Sequence, residues 1–121
     1  MKALLLLFLP LAACASVPAG ATGPSAGLGG VAVAGPLRVR PLRVIEDSRC
    51  PMNARCVWAG RLILRAEVRA GGRGSSRDLT LGEATNAGGG QLTLEQAQPD
   101  RMAGRPPDPR AYRFAFSFAR P

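Results

Sequence analysis

The stretch that decides the fold is RLILRAEVRA, residues 61–70. Apolar side chains occupy every second position, at Leu62, Leu64, Ala66, Val68 and Ala70. The positions between them carry mostly arginine and glutamate. A period of two, with one apolar and one charged face, is typical of an antiparallel strand that covers a core on one side and meets water on the other.

Segments with the same period lie on both sides of this stretch. Residues 37–45 alternate apolar residues with arginine, and the phase breaks at Pro41. Because proline lacks the amide donor that a ladder needs, this pattern predicts an edge strand with a bend or bulge. Residues 78–83 and 91–95 place leucines at alternate positions and predict two further strands, the first forming a hairpin with residues 61–70.

The last predicted strand is AYRFAFSFA, residues 111–119. Its aromatic side chains share one face: Tyr112, Phe114, Phe116 and Phe118. A membrane or ligand stripe is the alternative, but the small residues on the other face favour a core strand packed on both sides. With a turn at 71–76 and a proline-rich surface loop at 96–109, the segments predict an all-β fold. We expect residues 31–121 to form a small antiparallel β-sandwich of about five to seven strands, stapled by one disulfide.

The N-terminal residues predict export. MKALLLLFLPLAACAS has one lysine and a nine-residue apolar run, shorter than the roughly 20 residues of a membrane-spanning helix. Its end, LAAC, resembles the lipobox of bacterial lipoproteins. The resemblance implies that residues 1–13 are a signal peptide, that Cys14 carries the lipid, and that the protein faces the periplasm from the outer membrane. An ordinary secretory signal cleaved nearby is the alternative. Residues 14–30 then form a flexible tether rich in glycine, alanine and proline.

Composition excludes several classes of activity. The chain contains no histidine, which excludes Ser-His-Asp and Cys-His catalysis and histidine-ligated zinc or copper. Beyond Lys2 all basic residues are arginine, 15 against eight acids. This balance favours anionic partners, whereas nucleic acid is not expected because no aromatic side chains are interleaved with the arginines. The codon usage of a GC-rich genome also favours arginine over lysine, so the sequence leaves open whether the positive charge serves binding.

The motif RCPMNARCVWAG, residues 49–60, holds two cysteines six positions apart. A zinc site would be two ligands short, and thioredoxin-like redox chemistry needs C-x-x-C at a helix N-terminus. Export, and the assignment of Cys14 to lipid, leave Cys50 and Cys56 as an even pair, which favours a structural disulfide. Closing this short loop is worth about 2–2.5 kcal/mol on the chain-entropy model.

The residues around the two cysteines predict the shape of the loop. Pro51 restricts its entry, and Gly60 releases the chain into the next strand. Trp58 lies two residues past Cys56, so an extended chain would pack the indole over the disulfide. Asp47 is expected to cap the turn or pair with Arg49, since its neighbour Glu46 would face the other way and could not form an acid/base pair with it.

This region resembles a pattern in small uncharacterised bacterial exported proteins and lipoproteins, roughly Asp-Ser-Arg-Cys-Pro, four residues, then Cys-Val-Trp-Ala-Gly. The matching positions are Asp47, Ser48, Arg49, Cys50, Pro51, Cys56, Val57, Trp58, Ala59 and Gly60. The resemblance implies a β-rich envelope protein and carries no activity to transfer.

The expected function is therefore a non-enzymatic outer-membrane lipoprotein that needs no cofactor or metal and acts as a binding or structural module. Its partners would be the membrane, through the lipid, and an anionic envelope polymer or an envelope protein. The first alternative is an inhibitor or accessory subunit that docks a protein through residues 47–58. The second is a hydrolase that uses Asp47 or Glu46.

Overall fold

The alternating segments form eight strands in the computed structural model, which describes residues 24–121. In chain order they are β1 (Ser25–Ala26), β2 (Ala32–Ala34), β3 (Leu37–Asp47), β4 (Leu62–Ala70), β5 (Arg73–Thr80), β6 (Ala84–Ala87), β7 (Gly90–Gln98) and β8 (Arg113–Ala119). A short 3-10 helix, Pro109–Ala111, precedes β8. No helix within residues 24–121 has the length and apolarity to cross a bilayer.

The strands form two antiparallel sheets, each of four strands. One sheet has the order β1-β8-β7-β6 and the other β2-β3-β4-β5, and their apolar faces enclose one core in a sandwich-like arrangement. The all-β prediction is confirmed. The strand number exceeds the expected five to seven because strands of two to four residues are too short to show a recognisable alternation. β1 has two residues, β2 has three and β6 has four.

The core contains the residues that the alternation predicts. Leu62, Leu64, Ala66 and Val68 of β4 are buried. So are Tyr112, which directly precedes β8, and Phe114 and Phe116 within it. Phe118 packs against this cluster from a partly buried position. The aromatic strand is therefore a core strand, and full burial of each phenylalanine contributes about 1.5–3 kcal/mol.

The prediction of an edge strand at residues 37–45 is wrong. β3 lies inside its sheet between β2 and β4, although its register shifts just after Pro41, as the phase break predicts. The proline is accommodated because the ladder between β2 and β3 ends at Val39, two residues before Pro41. The Pro41 carbonyl points to the β2 side of β3, where it accepts a hydrogen bond from the Gly29 amide. The missing donor thus falls where no ladder bond is required.

Three boundaries differ from the sequence-based expectation. β5 begins at Arg73, inside the predicted turn, and β7 continues to Gln98, inside the predicted loop. The predicted tether reached residue 30, yet Ser25 and Ala26 already pair with β8 and Ala26 is buried. These small residues lie beside the aromatic strand, and composition alone does not distinguish them from a linker. The remainder of the tether, the signal peptide and Cys14 lie outside the described residues.

Candidate functional site

The motif forms the connection between β3 and β4, residues 48–61, which we call the clasped loop. The disulfide joins Cys50 to Cys56, as the sequence predicts. At the base of the loop the Ser48 hydroxyl accepts from the Arg61 amide at 3.0 Å, and the Ser48 amide donates to the Arg61 carbonyl at 2.8 Å. Two residues further into the loop, the Cys50 amide donates a hydrogen bond to the Ala59 carbonyl. The loop is therefore closed by both covalent and hydrogen bonds.

Gly60 is required by this closure. Its φ is +68°, and a Cβ placed there would lie 1.8 Å from the Ser48 carbonyl oxygen. Only glycine combines this left-handed conformation with so close an approach of two backbones. The role expected from the sequence, release of the chain into the next strand, thus has a steric cause.

Arg49 anchors the clasped loop to both sheets. Its guanidinium makes a bidentate pair with Asp47, with Nε to Oδ1 at 2.8 Å and Nη2 to Oδ2 at 3.0 Å. It also donates to the carbonyl oxygens of Ala97, at 2.9 Å, and Pro99, at 3.1 Å, beside the end of β7. The predicted Asp47–Arg49 pair is confirmed, and the side chains are only 8% and 15% exposed.

Tyr112 completes this anchor from the other sheet. Its hydroxyl donates to Asp47 Oδ2 at 2.8 Å, while its ring stacks on Phe114. Burial raises the pKa of Asp47, but hydrogen bonds from Arg49 and Tyr112 and the charge of Arg49 outweigh burial, so the net pKa lies below its usual value. Burial, then the bond to the Asp47 carboxylate, raises the pKa of Tyr112 to about 12.

A second loop, residues 99–108, supports the tip of the clasped loop. A turn from Pro51 to Ala54 places Met52 and Asn53 at the tip. The Met52 amide donates to the Arg101 carbonyl, and Asn53 Oδ1 accepts from the Ala103 amide at 2.7 Å. Arg101 in turn donates to the Arg49 carbonyl at 3.0 Å. The tip is thereby held at two points by the second loop.

The expectation that Trp58 packs over the disulfide is wrong. Trp58 is 82% exposed and its neighbour Val57 is 92% exposed. The chain at 56–59 is not a strand, so the alternation that would turn the indole toward Cys56 does not apply. Met52 and Met102 are also exposed on the two loops. The site thus presents large apolar side chains on a loop that is closed by a disulfide and hydrogen bonds.

The carboxylates near the loop are engaged in structural pairs. Asp47 accepts bonds from two side chains, and its lowered pKa makes it a weak base. Glu46 is paired with Arg61. Across residues 24–121 no cluster of three carboxylate or cysteine side chains is arranged to hold a metal ion. Asp47 and Glu46 therefore both serve as partners of arginine side chains in this structure.

Sequence reasoning missed two members of this site. Tyr112 was recognised only as an apolar core residue, although a buried tyrosine hydroxyl normally finds a polar partner, and that signal was available. Arg101 gave no signal, since it lies in a proline-rich loop about 50 residues from Arg49. Comparison of this chain with protein-family models, with curated proteins and with solved structures found no match.

Proposed function

We propose that this chain is a non-enzymatic outer-membrane lipoprotein, a β-sandwich held through Cys14 and a tether, that binds an envelope protein through the clasped loop. The observation that carries the proposal is the exposure of Val57 and Trp58 on a loop that the disulfide and hydrogen bonds hold in place. Tryptophan is enriched among residues that dominate the energetics of protein interfaces, and a pre-ordered loop loses little entropy on binding.

The motif supports a binding role because its residues divide into two sets. Asp47, Ser48, Arg49 and Gly60 each have a structural task at the base of the loop. Val57 and Trp58 have no such task, since most of their surface faces water. The first set holds the loop that displays the second, so the displayed pair is the natural contact for a partner with an apolar pocket.

The lack of enzymatic activity is also part of the proposal. The chain has no histidine, and the carboxylate with the greatest burial, Asp47, is neutralised by Arg49. An Asp47→Asn variant that loses a turnover activity under conditions where it is fully folded would favour the hydrolase alternative instead.

A photo-crosslinking amino acid at Val57 of the full chain, expressed in its own cells, tests the binding role. We expect one dominant crosslinked protein, and we expect Trp58→Ala in the same chain to abolish it. The control carries the crosslinker at Gln91, an exposed position on the other sheet. The same diffuse products from both positions would overturn the proposal.

Labelling of the full chain with a radioactive fatty acid tests the anchor separately. We expect incorporation that disappears in the Cys14→Ser variant, together with recovery of the native chain in the outer-membrane fraction. A soluble, unacylated native protein would overturn the anchor and leave the loop test unaffected.

A further inference from the structure

We propose that the outer face of the β2-β3-β4-β5 sheet binds the anionic headgroups of a lipid membrane. We call this surface the arginine face. It is defined by eight of the side chains that point away from the core on these strands: Val33, Arg38, Arg40, Arg43, Arg65, Glu67, Arg69 and Asp78.

The strand register places like charges opposite each other on this face. Arg38 of β3 pairs with Arg69 of β4, and Arg43 pairs with Arg65, while Arg40 between them pairs with Glu67. Like charges directly across two strands destabilise a sheet. Arg65 and Arg69 are partly compensated by Asp78 and Glu67. An anion placed over the arginine pairs would relieve the remaining repulsion.

Three arginines of the face form no salt bridge among residues 24–121: Arg38, Arg40 and Arg43. Arg40 and Arg43 interact with Glu67 and Asp78 at longer range only, since these carboxylates are bound by Arg69 and Arg65. All three are exposed, and residues 1–23 contain no acid that could pair with them. Five arginines against two acids leave the face with a net charge of +3. Glu46, at the loop end of the same face, is already paired with Arg61.

The other sheet provides the contrast. Its outward strand positions carry mainly glutamine, asparagine, threonine, serine and alanine, with Glu95 and Arg113 as the charged residues there. Its net charge is therefore zero. Codon usage would scatter arginine over both sheets alike, so the one-sided placement indicates a charged partner on the β3 side.

Apolar exposure identifies a membrane as the partner in preference to a soluble polyanion. Val33, directly opposite Arg38, is 58% exposed. Val31 lines a depression together with Arg38, Arg40, Arg69 and Glu67, and the Glu67 carboxylate there is paired with Arg69. Guanidinium groups beside exposed apolar side chains match the headgroup region of a bilayer, where phosphates lie next to acyl chains. A fully solvated polyanion offers no apolar surface that Val31 and Val33 could contact.

Arg38 and Arg69 lie at the end of the arginine face away from the clasped loop, where Arg69 is one residue short of the end of β4. β1, the first described strand, runs antiparallel to β8 and toward the clasped loop. Here the inference rests on the lipid anchor of the proposed function, which would keep the arginine face near the membrane at a high effective concentration.

Co-sedimentation with vesicles tests the inference. The probe is the processed chain, residues 14–121 with Cys14→Ser, which lacks the lipid and retains every described residue. We expect binding to vesicles of phosphatidylglycerol and phosphatidylcholine that weakens with salt, and little binding to phosphatidylcholine alone. Replacing Arg38, Arg40 and Arg43 with glutamine should weaken binding about a hundredfold.

The matched control replaces Arg55, Arg105 and Arg113 with glutamine. These arginines are also exposed and lie outside the arginine face, so the change in net charge is identical. We expect a much smaller loss, with both variants melting at or above the parent temperature. Equal losses in the two variants, or equal binding to neutral and anionic vesicles, would overturn the inference. So would binding to inorganic polyphosphate without binding to anionic vesicles. Because the probe is unacylated and retains Trp58, these outcomes are independent of the acylation and crosslinking tests.

Discussion

The Tyr112 hydroxyl donates a 2.8 Å hydrogen bond to Asp47 across 65 residues of chain. Asp47 ends β3 in one sheet, and Tyr112 directly precedes β8 in the other. A 3-10 helix directly precedes Tyr112 and places its ring at this position. The Asp108 side chain caps this helix by accepting a hydrogen bond from the Arg110 amide. One carboxylate thereby connects the two sheets at the end of the molecule that carries the clasped loop.

Tyr112→Phe should destabilise the fold by about 2 kcal/mol, because a buried carboxylate loses a donor. The folded pKa of about 12 exceeds the usual value near 10, so the stability linked to this group is present below about pH 10 and is lost as pH rises through about 12. Denaturant unfolding of both proteins from pH 7 to 12 measures this. Tyr112 is the chain's single tyrosine, so a decline of equal steepness in the variant would contradict the assignment.

Asp47→Asn should destabilise the fold by about 3 kcal/mol, since it leaves the largely buried Arg49 without a counter-charge. The folded pKa of Asp47 is lowered, so its contribution is present above the unfolded pKa near 4 and is lost as pH falls through the folded value. The control is Asp78→Asn, whose pair with Arg65 is solvent-exposed and should therefore contribute far less to stability. Equal effects in urea titrations at pH 7 would refute the anchoring role.

Gly60→Ala should destabilise the fold by about 3 kcal/mol or more, because the new Cβ meets the Ser48 carbonyl oxygen. Gly71→Ala is the matched control. Its φ is +61°, and a Cβ there has nothing within 4 Å, so only the backbone penalty of about 1–2 kcal/mol applies. The difference between the two melting temperatures isolates the contact. Similar shifts would mean that the base of the loop can open to admit a methyl group.

Replacing Cys50 and Cys56 together with serine should destabilise the fold by about 2–2.5 kcal/mol while leaving the sheets intact. The sheets should stay intact because the hydrogen bonds between Ser48 and Arg61 still close the base of the loop, and Arg101 still supports its tip. Urea unfolding measures the change, and peptide mass spectrometry with and without reductant checks the link in the native protein. Unlinked peptides in the native protein would contradict the clasp.

Trp58→Ala should change stability by less than about 0.5 kcal/mol, as an exposed residue without structural contacts would. Trp58 is the chain's single tryptophan, so the native protein should show the red-shifted emission of an indole in water and be readily quenched by iodide. A blue-shifted, protected emission would restore the packing over the disulfide that the sequence suggested.

The strand pattern shows what local sequence predicts well. In β4 and β8 the core is read directly from alternation, because a strand turns successive side chains to opposite faces whatever its neighbours are. The Cys50–Cys56 link was accessible for a similar reason, since few pairings were open to three cysteines. Short strands such as β1 escape this logic, because two residues do not make a period.

The sequence by itself determined that this chain is all-β, which side chains of its long strands form the core, and that Cys50 is linked to Cys56. Only the tertiary structure decided that β3 lies inside its sheet, that Trp58 faces water, that Tyr112 holds Asp47 and that five of the arginines share the outer face of one sheet. The physical reason is distance along the chain. Alternation is a property of neighbouring residues, whereas each of these features depends on which strands and loops meet, over separations as long as the 65 residues between Asp47 and Tyr112.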